Sequence, residues 1–371
     1  MLLRWANLAS KYGDCEAAAL TASETIQSRL GGSRLTWLVT GSAGFIGSHL
    51  VETLLGLGQQ VVGLDDFSTG RRENLREVEE AVGADAWRRH RFTEGSIVDP
   101  ETCREACRDV DIVLHQAALG SVPRSIADPL ATHVANVTGF LNILIAARDA
   151  RVRRFVFASS SSVYGDHEAL PKIENVVGQP LSPYAVTKCA DELYAEVFGR
   201  CYGVQCIGLR YFNVFGARQD PEGPYAAVIP RWVRSMLMGD PVEIYGDGDT
   251  TRDFCYVANA IQANILAALT ENPKAQNRIY NVAVGESTSL NRLYEILRSL
   301  LGEERPTLRY AQPVYRAFRE GDVRHSLADI TAAQRLLSYD PTHTIASGLR
   351  EALSWYVTRF SGVRERTAQV R

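Results

Sequence analysis

Tyr184 and Lys188 lie four positions apart in the stretch "LSPYAVTK" (residues 181–188) and could act as a proton-transfer pair. Ser182 is a favoured N-cap residue and Pro183 suits the first helical position, so we predict a helix that starts here. At about 3.6 residues per turn, the two side chains share one face, about 6 Å apart along the axis. The lysine ammonium and the helix N-terminus would both favour a tyrosine phenolate, which can accept a proton.

A serine-rich segment, "FASSSSVYGD", follows a predicted strand and offers a third group for the same chemistry. The hydroxyl of Ser160 could hydrogen-bond an oxygen that gains charge during a reaction. A Tyr/Lys spacing alone also occurs on ordinary helices, and serine runs after strands are often simple turns. Their occurrence together favours a reaction centre built from Ser160, Tyr184 and Lys188.

The segment "VTGSAGFIGSHL" places Gly41, Gly44 and Gly47 directly after the first predicted strand and at the start of a helix. In a dinucleotide-binding loop, the first glycine permits the tight turn and the second lets the backbone approach the pyrophosphate. The third allows close packing of the helix, whose N-terminus faces the negative charge. Because a strand precedes the loop and a helix follows it, we interpret the triplet as a dinucleotide site rather than a flexible turn.

A carboxylate follows at the expected distance, in "GLDDFSTG" at the end of the second predicted strand. Asp65 could accept hydrogen bonds from the hydroxyls of an adenosine ribose, which predicts NAD, because a 2′-phosphate would be repelled. Arg71 and Arg72 lie close in sequence and keep NADP open as an alternative.

These residues are positioned by short apolar runs that alternate with helix-like segments, which predicts a parallel sheet with helices on both faces. The predicted strands are residues 36–40, 60–65, 90–95, 111–116, 154–159 and 204–211. The fold class is therefore α/β, a Rossmann-type doubly wound parallel sheet with a smaller, mixed α/β C-terminal domain. The predicted units are a helical extension (1–34), a dinucleotide-binding domain (35–215) with a further strand near 279–284, and a substrate domain (216–371).

The composition indicates a globular protein that acts on small molecules. Of 371 residues, 46% are hydrophobic, and the formal net charge of −3 gives no basic footprint for nucleic acid or an anionic membrane. No unbroken run approaches the roughly 20 apolar residues of a membrane span. The seven cysteines form no CxxC pair and follow no secretory signal. We therefore expect a cytoplasmic protein with reduced thiols, without a metal site, and without nucleic acid or a membrane as its partner.

Together the motifs resemble the extended short-chain dehydrogenase/reductase family over residues 36–360. The similarity is carried by "TGSAGFIG", "GLDDFSTG", "HQAA", "SSSVYGD", "SPYAVTK", "RYFNVFG" and "TRDFCYV". Within that family, "HQAALGSVPRSI", "RQDPEGPYAAVIP" and "FREGDVRHSLADI" most resemble bacterial UDP-N-acetylglucosamine 4-epimerases of O-antigen biosynthesis. Ser96 departs from the family pattern, which usually has an aspartate there that reaches the adenine amino group.

The resemblance implies that NAD is tightly bound and regenerated in each catalytic cycle. Tyr184 is then expected to take the proton of a sugar 4-hydroxyl, Ser160 to hydrogen-bond O4, and Lys188 to hold the nicotinamide ribose. The full cofactor site implied by the resemblance comprises Gly41, Gly44, Phe45, Ile46, Gly47, Asp65, Asp66, Ser68, Gly70, Ser96, Ile97, Gln116, Ala117, Ala118, Tyr184, Lys188, Tyr211 and Val214.

The resemblance also implies a UDP-sugar as substrate and inversion at its C4 atom. Related dehydratases carry Asp-Glu after the active-site Ser or Thr, whereas Ser161 and Ser162 stand there in this chain, so we expect the 4-keto sugar to be reduced again. The implied substrate site comprises Gly120, Ser121, Ser160, Ser161, Ser162, Tyr184, Asn213, Gln219, Ala227, Val228, Tyr245, Arg252, Arg319, Asp322 and Ser326.

The choice of sugar depends mainly on Ser326, which aligns with the position that gates the sugar pocket of hexose 4-epimerases. A small residue there, with Gly120 and Ala227 also small, favours UDP-N-acetylglucosamine and UDP-N-acetylgalactosamine. The alternatives are UDP-glucose and UDP-galactose, UDP-hexuronic or N-acetylhexosaminuronic acids, and a non-enzymatic NAD-binding scaffold or sensor. The resemblance further implies a homodimer or higher homo-oligomer, in which the helix carrying Tyr184 and one near 129–148 pair across a two-fold axis.

Overall fold

Strands and helices alternate along most of the chain, of which a computed structural model describes residues 21–220, 227–318 and 324–368. The strands are β1 (Thr36–Thr40), β2 (Gln60–Asp65), β3 (His90–Glu94), β4 (Ile112–His115), β5 (Arg154–Ser160), β6 (Cys206–Tyr211), β7 (Val214–Phe215), β8 (Glu243–Tyr245), β9 (Thr251–Arg252), β10 (Cys255–Tyr256), β11 (Arg278–Val282), β12 (Thr288–Ser289) and β13 (Val314–Arg316). The α-helices are α1 (Ala22–Leu30), α2 (Phe45–Gly56), α3 (Arg72–Val82), α4 (Ala84–Trp87), α5 (Pro100–Ala106), α6 (Val122–Ala127), α7 (Pro129–His133), α8 (Gly139–Asp149), α9 (Pro183–Tyr202), α10 (Val228–Met238), α11 (Val257–Leu269), α12 (Leu290–Glu304), α13 (Thr331–Leu337) and α14 (Ile345–Ala368).

Seven of the strands form one sheet in the order β11-β6-β5-β4-β1-β2-β3, and every neighbouring pair is parallel. The order reverses between β1 and β4, so a crevice opens at the carboxyl ends of these strands, where ligands of such sheets bind. All six strands predicted from the sequence belong to this sheet. The predicted Rossmann-type α/β fold class is confirmed.

Apolar side chains cover both faces of the sheet. On one face, Leu54 of α2 and Leu266 of α11 belong to a buried cluster, while Phe140 and Ile143 of α8 pack with Phe157 of β5 in a second cluster. Strands covered on both faces have nearly continuous apolar sequences, as in β4, whose four residues are all buried. This two-sided core holds the carboxyl ends of the strands in fixed positions.

The later part of the chain returns to this sheet through β11, which pairs with β6 in the register Arg278 opposite Ile207. Short two-stranded pairings, β10 with β7, β12 with β9 and β13 with β8, connect the remaining segments. The sequence did not predict these short pairs, because two or three residues are too few to show a strand period. The domain boundaries near residues 34 and 215 stay a prediction.

Helix α1 docks the described part of the N-terminal extension on the body of the protein. Thr21 and Glu24 form a capping box at its start, and Ile26 and Leu30 are buried in the core. Arg29 donates hydrogen bonds to the carbonyl oxygen of Leu266 in α11 at 3.2 Å and to that of Leu337 in α13 at 3.3 Å. A guanidinium at two helix C-termini satisfies carbonyl groups that lack helical partners, so α1 helps to join these helices.

The helical run Pro129–Asp149 corrects the expectation that no segment approaches the length of a membrane span. It combines α7, a π-helical stretch (Val134–Thr138) and α8, and it is long and apolar enough to cross a membrane by length and composition. The search for an unbroken apolar run missed it because Asn136 and Asn142 interrupt the sequence. Less than half of the run is buried in the fold, and a core helix meets the same criteria, so one such helix is weak support for a membrane span.

Candidate active site

The loop between β1 and α2 has the geometry of a phosphate cradle. Gly41 has a φ of 68°, and a Cβ added to it would lie 2.8 Å from the amide nitrogen of Ala117. A Cβ on Gly47 would lie 2.0 Å from the carbonyl oxygen of Gly41, so neither position tolerates a side chain. Within the described part of the chain, no side chain caps α2 after Gly44, and the first turn holds no acidic residue. Such an N-terminus fits the pyrophosphate of NAD.

Asp65 lies at the end of β2, where an adenosine ribose would be held. Its carboxylate accepts hydrogen bonds from the backbone N–H groups of Ala43 at 2.9 Å and Phe67 at 2.8 Å. Burial raises the pKa of Asp65, although these two hydrogen bonds oppose the shift. A Cβ on Gly70 would lie 2.6 Å from the carboxylate, which explains a glycine at that position. These residues fit the ribose end of NAD.

Asp66 and Ser96 form the next part of this corner. Burial works against ionisation of Asp66, but hydrogen bonds from Ser68 and Ser96 outweigh it and lower the pKa of Asp66. The backbone N–H of Ser68 donates to Asp66 at 2.9 Å. A carboxylate is therefore present beside Ser96, and it comes from the loop after β2 rather than from residue 96.

Arg71 and Arg72, which kept NADP open at the sequence level, are both engaged with carboxylates. Arg71 contacts Asp220 at 2.7 Å, and Arg72 contacts Glu94 at 2.7 Å. A 2′-phosphate would have to compete with these carboxylates and would be repelled by Asp65. The arrangement favours NAD.

Tyr184 and Lys188 lie on α9, which starts as the local sequence dictates. The hydroxyl of Ser182 accepts a hydrogen bond from the N–H of Ala185 at 3.1 Å, and Pro183 is the first helical residue. Tyr184 is half-buried in the first turn, and Lys188 is buried one turn later. The helix therefore presents both side chains from one face.

The side chain of Lys188 connects α9 to the end of β5. Its Nζ donates a hydrogen bond to the carbonyl oxygen of Ala158 at 3.0 Å. Ser160 is the last residue of β5, and its Oγ accepts a hydrogen bond from the N–H of Ser162 at 3.2 Å. The elements that carry Ser160, Tyr184 and Lys188 thus meet at the carboxyl end of β5, at the same edge of the sheet as the glycine loop after β1, with β4 between the two strands.

Behind this end of the sheet lies a buried ion pair that sequence reasoning missed. Arg210 of β6 binds Glu192 of α9 in a bidentate manner, with Nε to Oε1 at 2.9 Å and Nη2 to Oε2 at 2.8 Å. The hydroxyl of Ser159 donates to the same carboxylate. The pair anchors α9 to β5 and β6, and an arginine inside the apolar strand "CIGLRY" is the signal that could have revealed it.

Gln116 and Tyr211, both predicted to contact the cofactor, share a hydrogen-bond network with Asn264 of α11. The hydroxyl of Tyr211 donates to Gln116 Oε1 at 3.0 Å and accepts from Asn264 Nδ2 at 2.7 Å. Gln116 Nε2 donates in turn to Asn264 Oδ1 at 3.0 Å. Burial lowers the pKa of the preceding His115 to about 3, so this imidazole is neutral near pH 7.

A cavity of about 410 Å³ begins at the segment that follows β6 and is lined by residues of the C-terminal half of the chain. Seven of the predicted residues line it: Asn213, Val214, Gln219, Ala227, Val228, Tyr245 and Arg252. Sequence reasoning missed the ten other lining residues, among them Arg231, Trp232, Phe318 and Arg324. Phe318 and Arg324 lie in the stretch "FREGDVRHSLADI", from which only Arg319, Asp322 and Ser326 were predicted. No motif marks Arg231 and Trp232, whose contact with the cavity depends on the long-range fold.

The cavity combines positive charge with buried polar atoms. Arg231, Arg252 and Arg324 line it together with one carboxylate, Glu243. Among the described residues, the buried Oε1 of Gln219 and Nε1 of Trp232 have no hydrogen-bond partner. The arginines suit the cavity to an anionic ligand, whereas the two buried atoms are not exposed to it.

The other predicted substrate residues lie around the same crevice or outside the described residues. Ser121 caps α6 by accepting from the N–H of Arg124 at 3.3 Å, and a Cβ on Gly120 would meet no atom within 4 Å. The N–H of Ser326 donates to the carbonyl oxygen of Thr251 at 3.2 Å. Positions 319 and 322, predicted to bind the diphosphate and the uridine ribose, lie outside the described residues. Within the described ranges, no cluster of three or more His, Cys, Asp or Glu side chains could hold a metal.

Residues 37–283 match the model of the NAD dependent epimerase/dehydratase family. A UDP-glucose 4-epimerase of Mycolicibacterium smegmatis is 36% identical over 86% of this chain and 97% of its own length. A UDP-N-acetylglucosamine 4-epimerase from Methanobrevibacter ruminantium, solved with UDP-N-acetylmuramic acid, is 37% identical with a TM-score of 0.80, covering 88% of this chain and 99% of that one. A UDP-glucuronic acid 4-epimerase from Bacillus cereus, solved with UDP-glucuronic acid and NAD, is 29% identical with a TM-score of 0.77, covering 88% and 100%.

Proposed function

This chain belongs to the NAD dependent epimerase/dehydratase family, and we propose that it interconverts UDP-N-acetylglucosamine and UDP-N-acetylgalactosamine by inverting C4 of the sugar. Its similarity to three UDP-sugar 4-epimerases supports the reaction type. The proposal is carried by the position of Tyr184 and Lys188 at the carboxyl end of β5. At that end, Ser160 is followed by Ser161 and Ser162 instead of an acid and a base.

The residues of the chain itself perform the proton transfers. Tyr184, as a phenolate, takes the proton of the 4-hydroxyl, and the hydroxyl of Ser160 donates a hydrogen bond to O4 as it becomes a carbonyl oxygen. The ammonium of Lys188 stabilises the phenolate. Bound NAD supplies a nicotinamide that accepts the C4 hydride and later returns it. Because the ketone is planar at C4, turning the sugar exposes its opposite face, and Tyr184 then protonates O4 of the epimer.

Elimination at C5 and C6 is not supported by the residues that follow Ser160. A dehydratase needs an acid and a base to move the C5 and C6 protons. Ser161 and Ser162 instead begin a 3-10 turn, Ser161–Tyr164, at this point. Serine hydroxyls neither gain nor lose protons near pH 7, so reduction of the ketone is favoured over loss of water.

The cavity fits the nucleotide part of a UDP-sugar. Arg231 and Arg252 supply positive charge for a diphosphate, together with Arg324, which also pairs with Asp247 at 2.9 Å. A cavity of about 410 Å³ also lies in the range of small-molecule sites, about 300–1,000 Å³.

Small residues support the choice of an acetylated sugar. Ser326 is half-buried next to β9, which carries Arg252 of the cavity wall. Ala227 lines the cavity, and Gly120 faces open space. We infer from their small size that these positions leave room for a 2-acetamido group while the sugar turns between the two hydride transfers. The relatives include 4-epimerases named for UDP-glucose and for UDP-glucuronic acid. The reaction type therefore does not identify the sugar, and the substrate itself must be measured.

The purified protein is expected to show a higher kcat/KM for the UDP-N-acetylglucosamine and UDP-N-acetylgalactosamine pair than for the plain hexose or the hexuronic acid pairs. The small residues Gly120, Ala227 and Ser326 are expected to leave space that a plain hexose does not fill. Side-by-side initial rates, with products separated by chromatography, measure this preference. A preference for UDP-galactose would refute the proposal that the substrate is an acetylated sugar. If no UDP-sugar were converted, the alternative of a non-enzymatic NAD-binding scaffold would be favoured.

We also propose a homodimer formed through α9 and the helical run Pro129–Asp149. Both present apolar side chains to solvent: Leu130 is 70% exposed, Leu193 63% and Val186 54%. An exposed apolar face on two neighbouring helices is typical of an interface. Sedimentation should give twice the chain mass of 40.9 kDa, and Leu193→Arg should shift it to one chain mass.

Tyr310→Arg serves as the control for this experiment, because Tyr310 is 83% exposed in a 3-10 turn that lies outside these helices. It should leave the dimer intact. A monomeric wild type, or a Leu193→Arg variant that sediments as the wild type does, would show that this face is not the interface.

A further inference from the structure

Asp191 lies one helical turn after Lys188 on α9 and is enclosed with it. The side chain of Lys188 is 3% exposed and that of Asp191 is 0% exposed, with Nζ and Oδ2 separated by 3.1 Å. Burying a charge without a partner costs free energy, so the two side chains stay paired as long as both are charged. Because Asp191 pairs with a residue of the proposed reaction centre, we expect the pair to have a role beyond stabilising the fold.

The hydrogen bonds of the lysine show what the carboxylate achieves. An ammonium has three N–H donors. One goes to the carbonyl oxygen of Ala158 at 3.0 Å and a second to Asp191 at 3.1 Å. These two bonds tie Nζ to β5 on one side and to α9 on the other. The direction of the third donor is therefore set by the first two, and it is left for the ribose hydroxyls of NAD or for Tyr184.

Other charged groups near Lys188 cannot take this role. Glu192 is bound on both oxygens by Arg210 of β6. His115 of β4 is neutral near pH 7, because burial lowers its pKa to about 3. Tyr184 reacts with the substrate and cannot hold the lysine permanently. Among the described residues, Asp191 is the carboxylate that is hydrogen-bonded to Lys188.

We propose that Asp191 is a positioning residue, which holds the Lys188 ammonium in place and in its charged form so that the remaining N–H donor faces NAD and Tyr184. This inference rests on the proposed epimerase function for its kinetic consequences, whereas its consequence for NAD binding is independent of the sugar. Asp191 itself touches neither the sugar nor the reacting atoms.

The electrostatics of the pair agree with this role. Burial alone would lower the pKa of Lys188, but the charges of Asp191 and Tyr184 outweigh burial, so the pKa of Lys188 is raised. Burial raises the pKa of Asp191 to about 7, and the charge of Lys188 opposes that shift. Removal of the carboxylate charge leaves burial as the main influence on the lysine. Lys188 would then lose its proton at a lower pH than in the wild type.

Two substitutions separate the hydrogen bond from the charge. Asp191→Ala removes both, and we expect kcat to fall about tenfold to a hundredfold with KM for the UDP-sugar within about twofold, as for loss of a charged hydrogen bond. NAD affinity, measured by titration of the apoprotein, should fall about tenfold by the same principle. Asp191→Asn keeps an acceptor, so at pH 7.5 its kcat should return to within about threefold of wild type, while its alkaline loss of activity should begin about one pH unit lower.

Glu196→Ala is the matched control, since Glu196 is an acid on the same helix that contacts Arg200 instead of Lys188. It should leave kcat, NAD affinity and the pH profile unchanged. Wild-type NAD affinity and pH profile in Asp191→Ala would overturn the proposal, as would an Asp191→Asn variant that is as impaired as Asp191→Ala. If the wild type converts no UDP-sugar, the proposed function fails, yet the NAD titrations still decide the role of Asp191.

Discussion

Tyr184→Phe is expected to lower kcat by about 10² to 10⁴-fold, because it removes the group that we propose takes and returns the proton of the 4-hydroxyl. The phenyl ring keeps the packing of a half-buried side chain in the first turn of α9. The Ser182 cap and the Lys188 hydrogen bond to β5 do not involve the phenol oxygen. Folding and NAD content should therefore stay at the wild-type level. Initial rates, with NAD quantified after denaturation, measure both quantities.

Two further variants make this result specific. Tyr202→Phe applies the same substitution at the last residue of α9, and it should leave kcat unchanged. Lys188→Met removes the ammonium that, under the proposed function, stabilises the phenolate and holds the nicotinamide ribose, so NAD content and rate should fall together. A Tyr184→Phe enzyme with near wild-type turnover would exclude Tyr184 as the proton acceptor, even if the UDP-sugar substrate were correct.

The parts of the fold and site that depend on neighbouring residues were predictable from the sequence. The first strand, the glycine loop and α2 follow one another within residues 36–56. The spacing of the glycines indicates where the backbone must turn tightly and where it must pack closely. The same holds for Tyr184 and Lys188, whose relation is set by one helix and its Ser-Pro start. Asp65 was recognisable because it ends the next strand.

The parts that depend on distant segments were not predictable in this way. Arg210 and Glu192 are 18 positions apart on different elements, and Asn264 reaches Tyr211 from a helix 53 positions away. Arg231 of the cavity lies in no motif, and Arg324 lies in "FREGDVRHSLADI", where nothing local distinguishes it as a cavity residue. Asp191 escaped notice for a different reason, since an acidic residue on a helix usually faces water and only the packed fold shows it buried.

Ser326→Tyr is expected to lower kcat/KM for the UDP-N-acetylhexosamines by about 10 to 100-fold, which corresponds to about 1–3 kcal/mol of overpacking. The backbone around Ser326 cannot move away easily. Its N–H donates to the carbonyl oxygen of Thr251 at 3.2 Å, and the carbonyl oxygen of Leu327 accepts from the N–H of Lys172 at 2.8 Å. Under the proposed function, the added ring would occupy the space in which a 2-acetamido group turns. A plain hexose lacks that group, so its kcat/KM should stay within about threefold.

Ser326→Ala separates bulk from the loss of the hydroxyl. It adds no volume, so the preference for the acetylated pair should persist, and any loss of rate would report a hydrogen bond from the serine. If Ser326→Tyr leaves the acetylated rate unchanged, position 326 does not gate the sugar. If it lowers the acetylated and plain rates equally, the ring disturbs binding of the common UDP part rather than the acetamido pocket. Only a selective loss for the acetylated pair supports the gate, because the overpacking cost must then depend on the group at C2.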